Sequence, residues 1–534
     1  MAWRKEGSAS NGSNPCCCSN RRWRDRNQPV ARLKHFTRSL ASGYLLLGVN
    51  IAYTLAMVPL ALAYLDKPVF GIWAVVVQIG VFLQLTDLGM TGAFARILIE
   101  YKDASHRREY ASVMKTMWMV FCLQGLLIAL LGWLISPFLG KVFKIGTEHL
   151  PLFVGFLRVY LAVFGLMVAM KVFELTLSAH QRNDLVNVNS VLGFGAGFLG
   201  LWLGFRAGWG LWAMVVGAGA TAAVNISMAV WQAWRIGLVP PRLITTHFSR
   251  ARFLEVFDYG KDRFLVAAGY SVLQSAPTFL VTRFLGLEAG AVWSVGTRVY
   301  YLCWQLVARI ADLAYPALAE MFVRKEQERL RQRFTALLEV SLVGAVVLAM
   351  CVVWMNGDFV AIWTRGRIHW DRQLDALLGI WLFVAILERT FWFPVGVSRS
   401  LGFMRFVYFA EAILMVATAC VVLQWTHSLY GVLAGILFAS LAVGIPYSVR
   451  RSAQILECAS RNMLFPAIKA SLFAGAPLLT VGYVLSLFEW PRNLFGLALE
   501  GGALLVLGGS IVSLQRRMRS LAKEVILKLR RNPD

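Results

Sequence analysis

Six polar residues recur through one otherwise apolar stretch, Glu288–Glu320. They are Ser294, Arg298, Tyr301, Gln305, Arg309 and Asp312, at steps of 4, 3, 4, 4 and 3. On a helix turning about 100° per residue they fall within an arc of roughly 80° and extend over about 27 Å. A charge at mid-membrane costs at least about 2.5–3.5 kcal/mol on insertion scales. Two Arg and one Asp on a single face therefore point to a polar cavity. Arg298 lies deepest. A guanidinium grips phosphate or carboxylate bidentately and keeps its charge, so it suits an anionic group. The competing reading is an Arg paired with a carboxylate or carbonyl between helices. Arg309 and Asp312, three apart, can pair with each other. Asp312 and Asp87, each near the end of an apolar run, are candidates for gating or coupling.

Supporting positions sit on other runs. Tyr270, Ser271, Gln274 and Thr278 share an arc of about 100°. Asn50, Tyr53 and Thr54 belong to the first run, Gln78 and Gln84 to the second. Amides and hydroxyls can replace the water shell of sugar hydroxyls. They also serve as interhelical hydrogen bonds, worth about 0.6 kcal/mol each. The set Glu388, Arg389 and Glu411 reads as structural and outside the cavity, with either carboxylate neutralising Arg389.

Of the 534 residues, 58% are hydrophobic and 15% charged, against about 25% charged in soluble domains. The chain is read as an all-α polytopic membrane protein with fourteen spans. They lie near 41–64, 68–87, 113–137, 150–174, 186–206, 209–233, 263–284, 288–316, 336–362, 374–398, 402–424, 428–449, 463–488 and 494–514. The organisation expected is a basic tail (1–40), a six-span lobe (41–234), a basic connection (235–262), a second six-span lobe (263–449), two further spans (450–514) and a basic tail (515–534). The connection is expected to lie on the membrane surface. No cleavable signal is expected, because some 40 polar residues precede the first apolar run.

The net charge of +24 could suggest nucleic acid, but its placement speaks for topology. With both termini cytoplasmic, 37 Lys and Arg fall on the inner side and nine on the outer, which is the positive-inside rule. Nucleic acid is not an expected partner; membrane lipids are. Cys16, Cys17 and Cys18 have no His or second Cys pair nearby and read as incidental. There is no Walker A sequence, no metal cluster and no triad. No cofactor is expected, and drive by an H+ or Na+ gradient is left open.

Three stretches carry a likeness. Phe70-Gly71-Ile72-Trp73 is followed by Leu83–Leu88 and Gly89-Met90-Thr91-Gly92-Ala93-Phe94-Ala95-Arg96; further on come Ala314-Tyr315-Pro316-Ala317-Leu318 and Asp358-Phe359-Val360-Ala361-Ile362-Trp363. Together they resemble the polysaccharide-transporter, O-antigen flippase-like branch of the multidrug/oligosaccharidyl-lipid/polysaccharide exporter superfamily. The resemblance implies two helical lobes around a central cavity lined by spans 1, 2, 7 and 8, with alternating access. It implies a flippase that carries a polyprenyl-pyrophosphate-linked oligosaccharide to the outer leaflet of a bacterial inner membrane, working beside polysaccharide assembly proteins. A lipid II flippase, which also has fourteen spans, and a multidrug exporter are the transporter alternatives. A glycan polymerase or ligase would need a sizeable outer loop, and the outer connections are about a dozen residues.

Overall fold

Apolar runs of this length become helices because the bilayer offers no water to backbone N–H and C=O groups. The computed structural model describes residues 29–87, 89–101, 107–241, 247–398, 403–487 and 494–514. Among these, every regular element is a helix. Most of the two expected basic tails lies outside the described residues, as do Cys16, Cys17 and Cys18.

The first group comprises α1 (Pro29–Tyr64), α2 (Lys67–Leu83), α3 (Met90–Glu100), α4 (Arg107–Val142), α5 (Leu150–Ala179), α6 (Asn183–Arg206) and α7 (Trp212–Arg235). Within it α4 packs on α5, α6 on α7, and α1 on α6. The Gly-rich α6 is a full helix because its glycines let backbones meet. A Cβ at Gly197 would come within 3.0 Å of the Gly217 carbonyl, and one at Gly217 within 2.9 Å of the Gly197 carbonyl.

The second group comprises α8 (Arg250–Leu285), α9 (Leu287–Gly296), α10 (Arg298–Val323), α11 (Gln327–Trp363), α12 (Gln373–Ser398), α13 (Met404–Thr426), α14 (Tyr430–Ala439) and α15 (Ile445–Ile455). A π-helical turn, Ser440–Gly444, joins α14 to α15. Here α13 packs on α14 and α8, and α11 on α12 and α10. Two last helices, α16 (Ser460–Ser486) and α17 (Leu494–Leu514), both lie on α11.

Twelve helices among the described residues are long and apolar enough to cross a membrane. The other two of the fourteen expected spans are also helical. One is the broken pair α9–α10; the other, α17, holds the shorter apolar stretch Phe495–Gly508. The chain is a multi-pass membrane protein.

The two groups meet chiefly through α2, which packs on α8 and α9. Gly71 permits this, since any Cβ there would strike the Leu287 carbonyl. A second tie follows from Pro59 inside α1. Proline has no N–H, so the carbonyl four residues back loses its helical partner. That carbonyl, Leu55 O, instead accepts from Trp363 Nε1 of α11 at 2.7 Å.

A third tie runs through the end of the expected connection. From Arg250 onward the chain is helix continuous with α8, started by the Ser249 hydroxyl accepting from Arg252 N–H. This extension packs on α3. Arg252 donates to Tyr101 Oη at 2.6 Å and to Glu255 at 2.8 Å. The bond to Glu255 holds the guanidinium pKa above its ordinary value.

Candidate functional site

Span 8 is interrupted one residue before its deepest Arg. Thr297 ends α9, its N–H and hydroxyl both donating to Trp293 O, at 3.0 and 2.7 Å. The Gly296 carbonyl accepts instead from Asn356 Nδ2 of α11 at 3.1 Å. Asn356 also donates to Asp375 of α12 at 2.7 Å, and Asp375 accepts from Trp370 Nε1 at 2.7 Å and Gly357 N–H at 3.0 Å. Trp370 lies so close over Gly296 that any side chain there would run into its ring. Asn356 and Asp375 are buried, so this network fixes the break.

Arg298 is the first residue of α10. The first turn of a helix carries amides without intrahelical partners and a partial positive charge. The Arg298 side chain is partly buried, and its Nε has no hydrogen-bond partner. Among the described residues no carboxylate forms an ion pair with it, so the carboxylate-paired reading finds no support. Tyr301 is partly buried against Trp381, ring centroids 6.1 Å apart, and Gln305 is partly buried one turn on. Arg298, Tyr301 and Gln305 thus follow one another along α10, while Ser294 lies beyond the break.

The pairing expected at the end of the stripe is different. Asp312 does not pair with Arg309; it accepts from Arg389 of α12 at 2.7 Å. Arg309 is exposed and reaches the other way, its guanidinium lying 3.4 Å from where a Cβ of Gly43 in α1 would sit. The two side chains leave α10 toward different neighbours, and Arg389 reaches Asp312 first. Asp87 is likewise held within its own group. It accepts from the Thr91 N–H at 3.1 Å and the Thr91 hydroxyl at 2.5 Å, which starts α3 beside left-handed Gly89. Lys171 lies 3.8 Å away.

The second group forms a partly open cavity of about 350 Å³. Tyr270, Gln274 and Asp312 line it, but Arg298, Tyr301, Gln305 and Arg309 do not. From α10 it is lined instead by Tyr300, Trp304, Asp312 and Tyr315, the face beside the stripe. Gln274 Nε2 donates to Tyr270 Oη at 2.6 Å. Asn50 is partly buried on α1, outside this cavity.

Glu388, Arg389 and Glu411, expected outside the central cavity, all line this cavity of the second group. Neither carboxylate pairs with Arg389, because Asp312 does. Glu388 Oε1 accepts from Trp392 Nε1 at 3.1 Å, and Glu411 Oε1 from Ser440 Oγ at 2.7 Å. Both carboxylates crowd Gly444, where a Cβ would come within 2.5 and 2.8 Å of their oxygens. Trp381, Trp392 and Tyr408 complete an aromatic wall that the sequence reading missed. The spacing of Tyr300 with Trp304, and of Glu388 with Trp392, is one helical turn and was the available signal. Among the described residues no group of three or more metal-ligating side chains assembles.

A family model described as "Polysaccharide biosynthesis protein" matches residues 62–363. No curated protein matches the sequence. Among solved structures, the inward-facing conformation of a multidrug resistance MATE family transporter of the MOP superfamily is similar with TM-score 0.67 and 13% identity. That match covers 76% of this chain and 95% of the transporter. The lipid II flippase MurJ, inward closed, has TM-score 0.67 and 12% identity over 90% of this chain and 99% of its own. A MOP superfamily transporter from Pyrococcus furiosus has TM-score 0.51 and 16% identity, over 79% and 96%. At these identities the likeness is one of fold.

Proposed function

The chain belongs to the polysaccharide biosynthesis protein family, and from that premise we propose that it is a flippase and not an enzyme. It moves a polyprenyl-pyrophosphate-linked oligosaccharide from the inner to the outer leaflet by alternating access. The observation that carries this reading is Arg298 at the start of α10, with no carboxylate partner among the described residues. A cation at the positive end of a helix dipole is unfavourable alone and favourable once an anion joins it. Broken helices whose half-helix N-termini meet anionic groups are a recurring device of transporters. A pyrophosphate would accept from the Arg298 fork and the free amides together. Gln305 and Tyr301, along the same face, would meet the first sugars, while the lipid tail stays in the bilayer. To Asp312 and Asp87 we assign a role in gating or in coupling to an H+ or Na+ gradient. MurJ is by its name a lipid II flippase, and a cargo of that lipid-linked kind is what we carry over to this chain.

One observation favours a second reading. The carboxylates and aromatic rings of the second-group cavity are what an exporter of organic cations would need. Removing the chain from its cells separates the two. A flippase leaves a lipid-linked oligosaccharide accumulating in the inner leaflet. An exporter leaves cells hypersensitive to cationic dyes with no such intermediate.

A further inference from the structure

We infer that Arg158 and Trp133, at the seam of α4 and α5, form a lipid-facing site for the phosphate of a glycerophospholipid. It is distinct from the anion position at Arg298 and does not depend on the flippase reading. Arg158 is the one charged residue in the apolar run 150–170. Its Nε donates to Ser136 Oγ at 3.1 Å, and its guanidinium lies over the Trp133 ring, 4.3 Å from the centroid. Ser136 is buried and donates its hydroxyl to Trp133 O at 3.2 Å, so one turn of α4 holds both partners. The two terminal nitrogens of Arg158 bond to no group among the described residues, and neither is sealed from the surface.

The surface around them is apolar. Trp133, Leu134 and Phe138 of α4 are 59, 71 and 63% exposed, and Val159 of α5 is 42% exposed. In a multi-pass membrane protein such a face meets acyl chains, which offer a guanidinium no acceptor. The acceptor has to come from a headgroup. With 30 residues α5 is about 45 Å long, the thickness of a bilayer with its headgroup layers. Arg158, eight residues from Leu150, lies about 12 Å from the end where α5 starts. Side chains on a helix tilt toward its start, so Arg158 snorkels to the headgroup level. Trp133 belongs at the same level, where amphipathic rings are enriched. In the orientation with both termini cytoplasmic this is the outer leaflet. Phosphate is the headgroup acceptor that a guanidinium takes bidentately. A soluble anion would have to leave water for an apolar face, whereas a phospholipid phosphate already sits at that depth.

Leu134, exposed beside Trp133, supplies a reporter position. In full-length protein lacking native Cys and reconstituted in liposomes, Leu134→Cys carries a fluorophore. Its quenching is compared between two lipids with a nitroxide near the top of one acyl chain: phosphatidylglycerol, and a galactosyl diacylglycerol that has no phosphate. At equal mole fraction the phosphatidylglycerol should be enriched at the reporter about three- to tenfold. Adding Arg158→Gln should abolish that preference, and Arg158→Lys should keep part of it, both at normal membrane abundance. Equal quenching by the two lipids with Arg158 in place would overturn the site without recourse to any variant at 158. A preference that survives Arg158→Gln would overturn the assignment to this residue. Abolition of the preference by inorganic phosphate would make it a site for a soluble anion, and abolition by a trace of polyprenyl-pyrophosphate oligosaccharide would make it a cargo site; either result overturns the phospholipid.

Discussion

A guanidinium at the first position of a helix works against the helix dipole, and among the described residues Arg298 has no carboxylate partner to offset that. Bound cargo is the partner we assign to it. Arg298→Lys keeps the charge but loses the planar fork, so it should flip partially. Arg298→Gln should slow flipping about ten- to hundredfold, the loss of one charge-assisted hydrogen bond of about 1.5–3 kcal/mol, while membrane abundance stays normal. Arg298→Glu should be worse than Gln, because it repels the phosphate. Full flipping by the Gln variant, measured with abundance, would remove Arg298 from the mechanism. At this scale the sequence was informative about single residues and not about pairs. Arg298 announced itself by charge in an apolar run. The partner of Asp312 did not, because Arg389 is 77 residues away and nearer candidates competed.

The elements were legible in length and hardly at all in their breaks. Apolar runs specify helices strongly in a bilayer, and the Gly-rich run of α6 folds as one like the rest. The interruption at Thr297 left no local mark, since apolar periodicity continues through it. It depends on the distant Asn356 of α11 and on the Trp370 ring over Gly296. The packing of the α8 extension on α3 left no mark in the sequence either, since it depends on a helix some 150 residues away. The two faces of α10 should differ in reactivity. In a background without native Cys, Tyr301→Cys and Gln305→Cys should react readily with a water-soluble thiol reagent. Val307→Cys, on a buried face, and Val299→Cys should react slowly. Equal rates on both faces would mean that the stripe is no cavity wall.

Across the whole molecule, α2 closes on α8 and α9, and Trp363 reaches Leu55 across the groups. The proposed alternating access would require these contacts to part and re-form while each group stays packed. The fold was legible because hydropathy and charge placement are global signals. The cavity of the second group was not, since five helices build it together. The proposed orientation, both termini cytoplasmic, rests on the distribution of Lys and Arg. Reporters fused after Asp534 and within 324–331 should report cytoplasm, and one within 365–372 the outside. An outside C-terminus would contradict that orientation. Transport itself gives the most direct test. The purified protein is reconstituted into liposomes carrying a labelled polyprenyl-pyrophosphate oligosaccharide on the inner leaflet, and arrival of the glycan outside is read with an impermeant oxidant. Time-dependent exposure is expected with the natural chain and little with Arg298→Gln. Exposure no faster than in protein-free liposomes, across H+ and Na+ gradients of either direction, would contradict the flippase reading.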